Sequence, residues 1–138
     1  MMSPQALLAT LLLAGVPLAG HACDRQLLIT GVQPQGGAVL VAAYTDEASF
    51  MKKPGWVTRA EADGAELRVP LCALPEGEFA VMAFQDSDGN GKLNTNVLGM
   101  PQEAFGNSGE PARFGPPTWA GSKVTAAAGT SVPLKLHR

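Results

Sequence analysis

A run of oxygen-bearing side chains between positions 86 and 94 is the part of the sequence whose residue types and spacing point most directly to chemistry. Aspartate or asparagine occupies its first, third, fifth and ninth positions, which are Asp86, Asp88, Asn90 and Asn94, and Gly91 occupies the sixth. Alternate spacing lets these oxygens converge when the backbone curls, and glycine permits the sharp turn of a calcium loop. Calcium takes about six to eight oxygen ligands, so the sequence predicts a calcium-type loop.

The remaining ligands are expected from positions outside this Asp/Asn pattern. The backbone carbonyl of Lys92 takes the seventh position, which leaves its side chain free to face solvent. The twelfth position is Val97 instead of glutamate and a strand is expected before the run, so it is not an EF-hand. Glu103 is expected to fold back as the missing carboxylate, with Asn96 as another candidate. The expected dissociation constant is about 10⁻⁴ to 10⁻³ M.

Two interpretations without metal stay open for this part of the chain. Asp and Asn side chains also hydrogen-bond their own backbone, so the run can be a self-capped turn. The 86–94 run opens a stretch of about 34 residues, 86–119, that is rich in Gly, Pro, Asn and Asp. Loops of that length are uncommon unless they are functional or disordered. Phe105, Phe114 and Trp119 in this stretch are candidate contacts for a sugar or peptide, or they seal the loop onto the core.

The sequence offers little for catalysis or for binding nucleic acid. Outside the N-terminal 22 residues, the chain has one histidine, His137, beside its C-terminus, a poor place for ordered catalytic geometry. No nucleophile-elbow, zinc-protease, P-loop or dinucleotide motif occurs. The net charge of −2 provides no basic patch for nucleic acid or an anionic membrane surface. These features predict a non-catalytic binding or structural module, with a hydrolase as a remote alternative.

Short strands must position these residues. Apolar runs and alternating patterns predict six strands, and no segment sustains the spacing of a long amphipathic helix. Ala38–Tyr44 is apolar on both faces, as in a central strand, whereas Pro70 favours an edge strand. One helical turn is expected over 46–53, with Phe50 and Met51 facing inward. Antiparallel strands joined by turns predict one small β-sandwich. The predicted strands are 26–32, 38–44, 66–71, 79–84, 122–127 and 131–136.

The first 22 residues have the pattern of an export signal. An apolar run over 7–18 is shorter than the roughly 20 residues that a membrane anchor needs. Small residues, Gly20 and Ala22, follow it at the spacing of a cleavage site. The sequence therefore predicts a signal peptide at 1–22, a single domain at 23–138, and a periplasmic or secreted location. A buried core helix is the alternative interpretation of the apolar run.

The two cysteines, Cys23 and Cys72, are expected to form one disulfide in an exported chain. The bond would close a loop of about 50 residues and stabilise the fold by about 4 kcal/mol. A lipoprotein signal also ends immediately before a cysteine, but Gly20 and His21 fit that pattern poorly. Acylation of Cys23 and its disulfide exclude one another.

Five segments in combination resemble a known family; they are 74–81, 84–96, 99–103, 105–108 and 114–117. This set is similar to the bacterial exported family catalogued as domain of unknown function 2141. The resemblance implies a signal peptide and one small β-sandwich of immunoglobulin-like or prealbumin-like type. It implies no activity, because none is established for the family. Gln85 stands where members often have His, and Asn94 where they often have Asp, which lowers the number of carboxylates.

Overall fold

The computed structural model describes residues 24–138, so the predicted signal peptide at 1–22 and Cys23 lie outside the described residues. This part of the chain is nearly all β, with eight strands and one short helix. In chain order the elements are β1 (Gln26–Thr30), β2 (Ala38–Tyr44), β3 (Trp56–Ala60), β4 (Leu67–Pro70), β5 (Glu78–Asp86), β6 (Phe105–Asn107), α1 (Trp119–Ser122), β7 (Val124–Thr125) and β8 (Ser131–Lys135).

The strands form two sheets that pack face to face, which confirms the predicted all-β sandwich. The smaller sheet has the order β4-β1-β8, and the larger has the order β3-β2-β5-β6, with β7 paired to the beginning of β5. Pro70 lies on β4 at an edge, as predicted. The pair β1–β8 is parallel, whereas the other strand pairs are antiparallel. The connection between these two strands is almost the whole domain, which is long enough for a parallel return.

The core lies between the sheets and is built mainly from alternate residues of β1, β2, β4, β5 and β8. Val39, Val41 and Ala43 of β2 are at most 2% exposed, and β1 contributes Leu27 and Ile29 with no exposed surface. β2 lies between β3 and β5, which confirms its prediction as a central strand. Each fully buried aliphatic side chain of this kind stabilises the fold by about 1.5–3 kcal/mol, so this alternation sets which face of each sheet turns inward.

Several element boundaries differ from the sequence predictions. The strand β3 follows a Pro54-Gly55 turn and is absent from the predicted set, and the three-residue β6 lies inside the stretch expected to be a loop. The predicted strand at 122–127 is wrong at its start. Thr118 caps α1 there by accepting a 3.1 Å hydrogen bond from the Gly121 amide, so only Val124–Thr125 pairs as a strand.

The segment 46–53 forms consecutive turns instead of a regular helical turn. Phe50 is buried as predicted, but Met51 is 48% exposed, contrary to the expectation that it faces inward. A positive φ of 59° at Met51 breaks the helical path, which separates the directions of the two side chains.

Within residues 24–138, no helix has the length and apolar character needed to cross a membrane.

Candidate functional site

Asp86 is the last residue of β5, and the sheet fixes its position. It pairs with Ala38 at the start of β2, and its side chain is only 5% exposed. The neighbouring Gly37 has a φ of +105°, and a Cβ at that position would lie 2.1 Å from the Asp86 carbonyl oxygen. Only glycine permits this approach of the two backbones, so Gly37 allows β5 to place the aspartate at the rim of the sandwich.

The two carboxylate oxygens of Asp86 differ in their surroundings. Oδ2 accepts a 2.8 Å hydrogen bond from the Gly91 amide, which closes the turn. Oδ1 is buried and has no hydrogen-bond partner among the described residues. Because a buried carboxylate oxygen without a donor or cation is costly, this atom is the strongest indication of a ligand at the site.

Glu103 closes the loop from its other end. The hydrogen bond from the Gln85 amide to the Ala104 carbonyl, 2.8 Å long, brings it beside β5. Its side chain is 3% exposed. Oε2 accepts hydrogen bonds from the amide and hydroxyl of Ser87 at 2.7 and 3.1 Å, and Oε1 accepts one from the Asn94 amide at 2.9 Å. One buried carboxylate therefore ties the two arms of the loop together.

Asp88 lies on the outer side of the loop and is exposed. Its Oδ2 accepts a 2.6 Å hydrogen bond from the side-chain amide of Asn94, and its Oδ1 accepts one from the Asn90 backbone at 3.2 Å. The pKa of Asp88 is lowered, chiefly by the Asn94 side-chain hydrogen bond and further by the Asn90 backbone amide, against the opposing effect of desolvation. These hydrogen bonds favour the charged form that a cation would meet.

The structure brings three of the predicted ligands together. One carboxylate oxygen each from Asp86, Asp88 and Glu103 lies within 4.8 Å of the others. Like charges at this separation repel one another, and the repulsion is strongest where burial excludes water. A divalent cation at their centre would replace the repulsion with attraction.

The other predicted ligands are placed nearby but are engaged in the loop itself. The Asn90 side-chain oxygen accepts the Lys92 amide at 3.0 Å, and the Asn94 side-chain oxygen accepts the Asn90 side-chain amide at 2.6 Å. The Asn96 side-chain oxygen accepts the amides of Leu98 and Met100, so it organises a separate turn. The amides of Asn90 and Asn94 would have to reorient to coordinate a cation.

The three aromatic candidates lie in different surroundings. Trp119 packs edge-on against Phe50, with ring centroids 5.9 Å apart, in a cluster against the larger sheet. Phe114 is 95% exposed. Phe105 lies on β6, with its ring 6.2 Å from that of His137. Of the three, only Phe105 lines an apolar groove on the larger sheet.

Sequence reasoning missed this groove, which has a volume of about 570 Å³ and lies on the outer face of the larger sheet. Its floor includes Leu40, Ala42, Met82 and Phe84. The sequence feature that points to the groove is Ala38–Tyr44, which is apolar on both faces of the strand. By itself that pattern indicates burial on both faces. Among the described residues, this second face is covered only at its Tyr44 end, where Phe50 and Trp119 pack, and Leu40 stays partly exposed.

Comparisons with known proteins give a single finding. A family model described as "Uncharacterized protein conserved in bacteria (DUF2141)" matches residues 27–133. Neither the curated proteins nor the solved structures contain a significant match.

Proposed function

The chain belongs to the uncharacterized bacterial family DUF2141, and from that premise we propose that it is a non-catalytic module whose 86–94 loop binds a divalent cation. Calcium suits the site best, because all of its candidate ligands are oxygens and calcium accepts about six to eight of them in irregular geometry. Magnesium demands stricter octahedral geometry and usually retains more of its water. The bound cation would stabilise the long loop that begins at β5.

The observation that carries this proposal is the buried, unpartnered Oδ1 of Asp86. It lies in the three-carboxylate cluster with Asp88 and Glu103. In this proposal Asp86 is the central ligand, Asp88 a second ligand from the solvent side, and Glu103 a third that also holds the loop closed. Asn90, Asn94 and the Lys92 carbonyl complete the set after the loop adjusts around the ion.

The second part of the proposal is that the module works outside the cytoplasm. It rests on the signal-peptide pattern of residues 1–22 and on the two cysteines. Arg25, which follows Cys23 by two positions, accepts a 3.0 Å backbone hydrogen bond from Leu71, the residue before Cys72. This pairing brings the sequence neighbours of the two cysteines side by side, which supports a Cys23–Cys72 disulfide.

Calcium titration of the purified full chain tests the cation proposal. After treatment with a chelator, the protein should bind calcium by calorimetry, and its Tm should rise as millimolar calcium is added. Calcium at about 1–10 mM, which is about ten times the expected dissociation constant, stabilises a protein by about 1.4 kcal/mol. The variant Asp88→Asn should lose most of this response, whereas Asp63→Asn, an exposed aspartate elsewhere, should retain it. A Tm unchanged by calcium in the parent protein would refute the proposal.

A further inference from the structure

The groove on the larger sheet is built from cross-strand rows of side chains. Arg59, Leu40, Phe84 and Phe105 form one row, because each residue is directly paired with the next across β3, β2, β5 and β6. Side chains of directly paired residues lie on the same face of a sheet and contact one another. The row therefore places three apolar side chains beside one cation.

A second row, nearer the other end of the strands, continues the same surface. Val57, Ala42 and Met82 are directly paired across β3, β2 and β5. Val57 is 64% exposed. The outer face of an antiparallel sheet is ordinarily polar, so an apolar outer face marks a surface that binds something.

Both ends of the groove are bounded by side chains from loops. Leu93, from the 86–94 loop, lines the end near the start of β2, and Met51, from the turn after β2, lines the opposite end near Tyr44. The volume of about 570 Å³ lies within the range typical of sites for small molecules. The shape is therefore that of a trough for a compact ligand.

Charge indicates which kind of ligand fits. Arg59 is the charged residue among those that line the groove. Its Nε donates to Glu61 Oε1 at 3.2 Å, in a pair whose side chains are 64% and 68% exposed. Exposed pairs of this kind contribute little to stability, so an incoming anion can displace Glu61 at small cost. The guanidinium can then bind a carboxylate through two parallel hydrogen bonds.

We propose that the groove binds a small amphiphile with an apolar body and one carboxylate head. The body lies over Leu40, Ala42, Met82 and Phe84, and the head meets Arg59. A second copy of the chain fits less well, because the residues that line the groove include no acidic side chain that could meet Arg59. The proposal does not require a bound cation, since the floor and the arginine belong to the sheet and the 86–94 loop contributes only Gly91 and Leu93 to the lining.

The proposal is tested by comparing the binding of dodecanoate with that of its uncharged analogue dodecanol. Both ligands are used below their aggregation concentrations and with chelator present. Displacement of a fluorescent apolar probe should show saturable binding of dodecanoate, with weaker binding of dodecanol. The variant Arg59→Gln should weaken dodecanoate binding about tenfold or more and leave dodecanol binding unchanged. Glu61→Gln should strengthen dodecanoate binding by a few-fold, because it removes the competing carboxylate.

The chain offers a matched control for the arginine. Arg68, on β4 of the smaller sheet, forms a similarly exposed pair with Glu66, also two residues away. Arg68→Gln should leave binding of both ligands unchanged. Equal loss of dodecanoate binding in the Arg59 and Arg68 variants would overturn the proposal, as would equal binding of dodecanoate and dodecanol.

Variants that fill the groove show whether the ligands bind there or at another site on the protein. Ala42→Trp should abolish binding of both ligands, and Val57→Asp provides a second, exposed position if the first variant fails to fold. Undiminished binding in a folded groove variant would overturn the proposal. A concentration-dependent dimer that Val57→Asp dissociates would also overturn it, because it would assign the face to a second copy of the chain.

Discussion

The buried carboxylate of Glu103 accepts a 2.7 Å hydrogen bond from the backbone amide of Ser87, 16 residues earlier in the chain. The same carboxylate accepts the Asn94 amide with its other oxygen, so it spans the loop from its first turn to its last. A residue that sequence reasoning selects only as a calcium ligand thus also organises the loop. Any cation would meet a carboxylate that is already held in place.

Replacing Glu103 by alanine should open the loop and destabilise the protein by about 3 kcal/mol, because the backbone amides of Ser87 and Asn94 lose a charged, buried acceptor. Denaturant unfolding in chelator measures the free energy, and hydrogen exchange at the Ser87 and Asn94 amides measures the local opening. Glu76→Ala, at an exposed turn, is the control and should change neither. Unchanged amide protection in the Glu103 variant would contradict the assigned role.

Gly37→Ala should destabilise the protein by about 3 kcal/mol or more, because its Cβ would overlap the Asp86 carbonyl oxygen in addition to the positive φ. Gly77→Ala is a matched control, since Gly77 has a similar φ of +115° but a Cβ there would have no atom within 4 Å. It should cost only the backbone strain, about 1–2 kcal/mol. Equal losses in thermal or denaturant unfolding would show that contact with Asp86 is unimportant.

Asp86→Asn should have opposite effects with and without calcium. In chelator, it removes one of three crowded negative charges and supplies a donor toward the others, so stability should rise by about 1 kcal/mol. In calcium, it should remove the cation-dependent rise in Tm. Thermal melts of both forms measure this reversal. A variant that is less stable in chelator and still gains Tm in calcium would contradict the assigned position of the cation.

Tyr44 provides a pH test of the groove end of the larger sheet. Burial raises the pKa of its hydroxyl above the ordinary tyrosine value of about 10. Because this pKa is higher in the folded protein than in the unfolded chain, the neutral hydroxyl favours the folded state, and its contribution to stability is fully present below about pH 10. The contribution is lost as pH rises through the pKa of the folded state. The chain has one tyrosine, so tyrosinate absorbance reports it alone.

Phe50→Ala should lower the pKa of Tyr44 toward the ordinary value, because it removes the ring that packs edge-on at 5.4 Å. Phe114→Ala is the control, since that ring is 95% exposed. A Tyr44 titration identical in the parent, the Phe50 variant and the denatured chain would contradict burial as the cause.

The proposed disulfide is tested by counting thiols in protein isolated without reductant. We expect no thiol reactivity at Cys23 or Cys72 until reductant is added, followed by a loss of stability of about 4 kcal/mol. Cys72→Ser should reproduce the loss. Two reactive thiols in the native protein, or a lipid on Cys23, would exclude the bond.

The sequence by itself determined the β-sandwich class and the oxygen donors of the loop. Alternation in segments such as Ala38–Tyr44 and the spacing of Asp86, Asp88 and Asn90 are local features. Periodicity selects strands because successive side chains point to opposite faces. Short elements such as β6 escape prediction, because three residues carry too little pattern to distinguish a strand from a loop.

Only the tertiary structure decided which donors meet and which faces stay open. Glu103 reaches Ser87 because β5 pairs with the segment leading into β6, and that pairing joins residues far apart in sequence. Likewise, Leu40 has the pattern of a core residue in the sequence, but it lies outside the Phe50 cluster that packs on its side of the sheet, stays partly exposed and lines the groove. Residue type sets what a side chain can do, whereas non-local packing sets what it contacts.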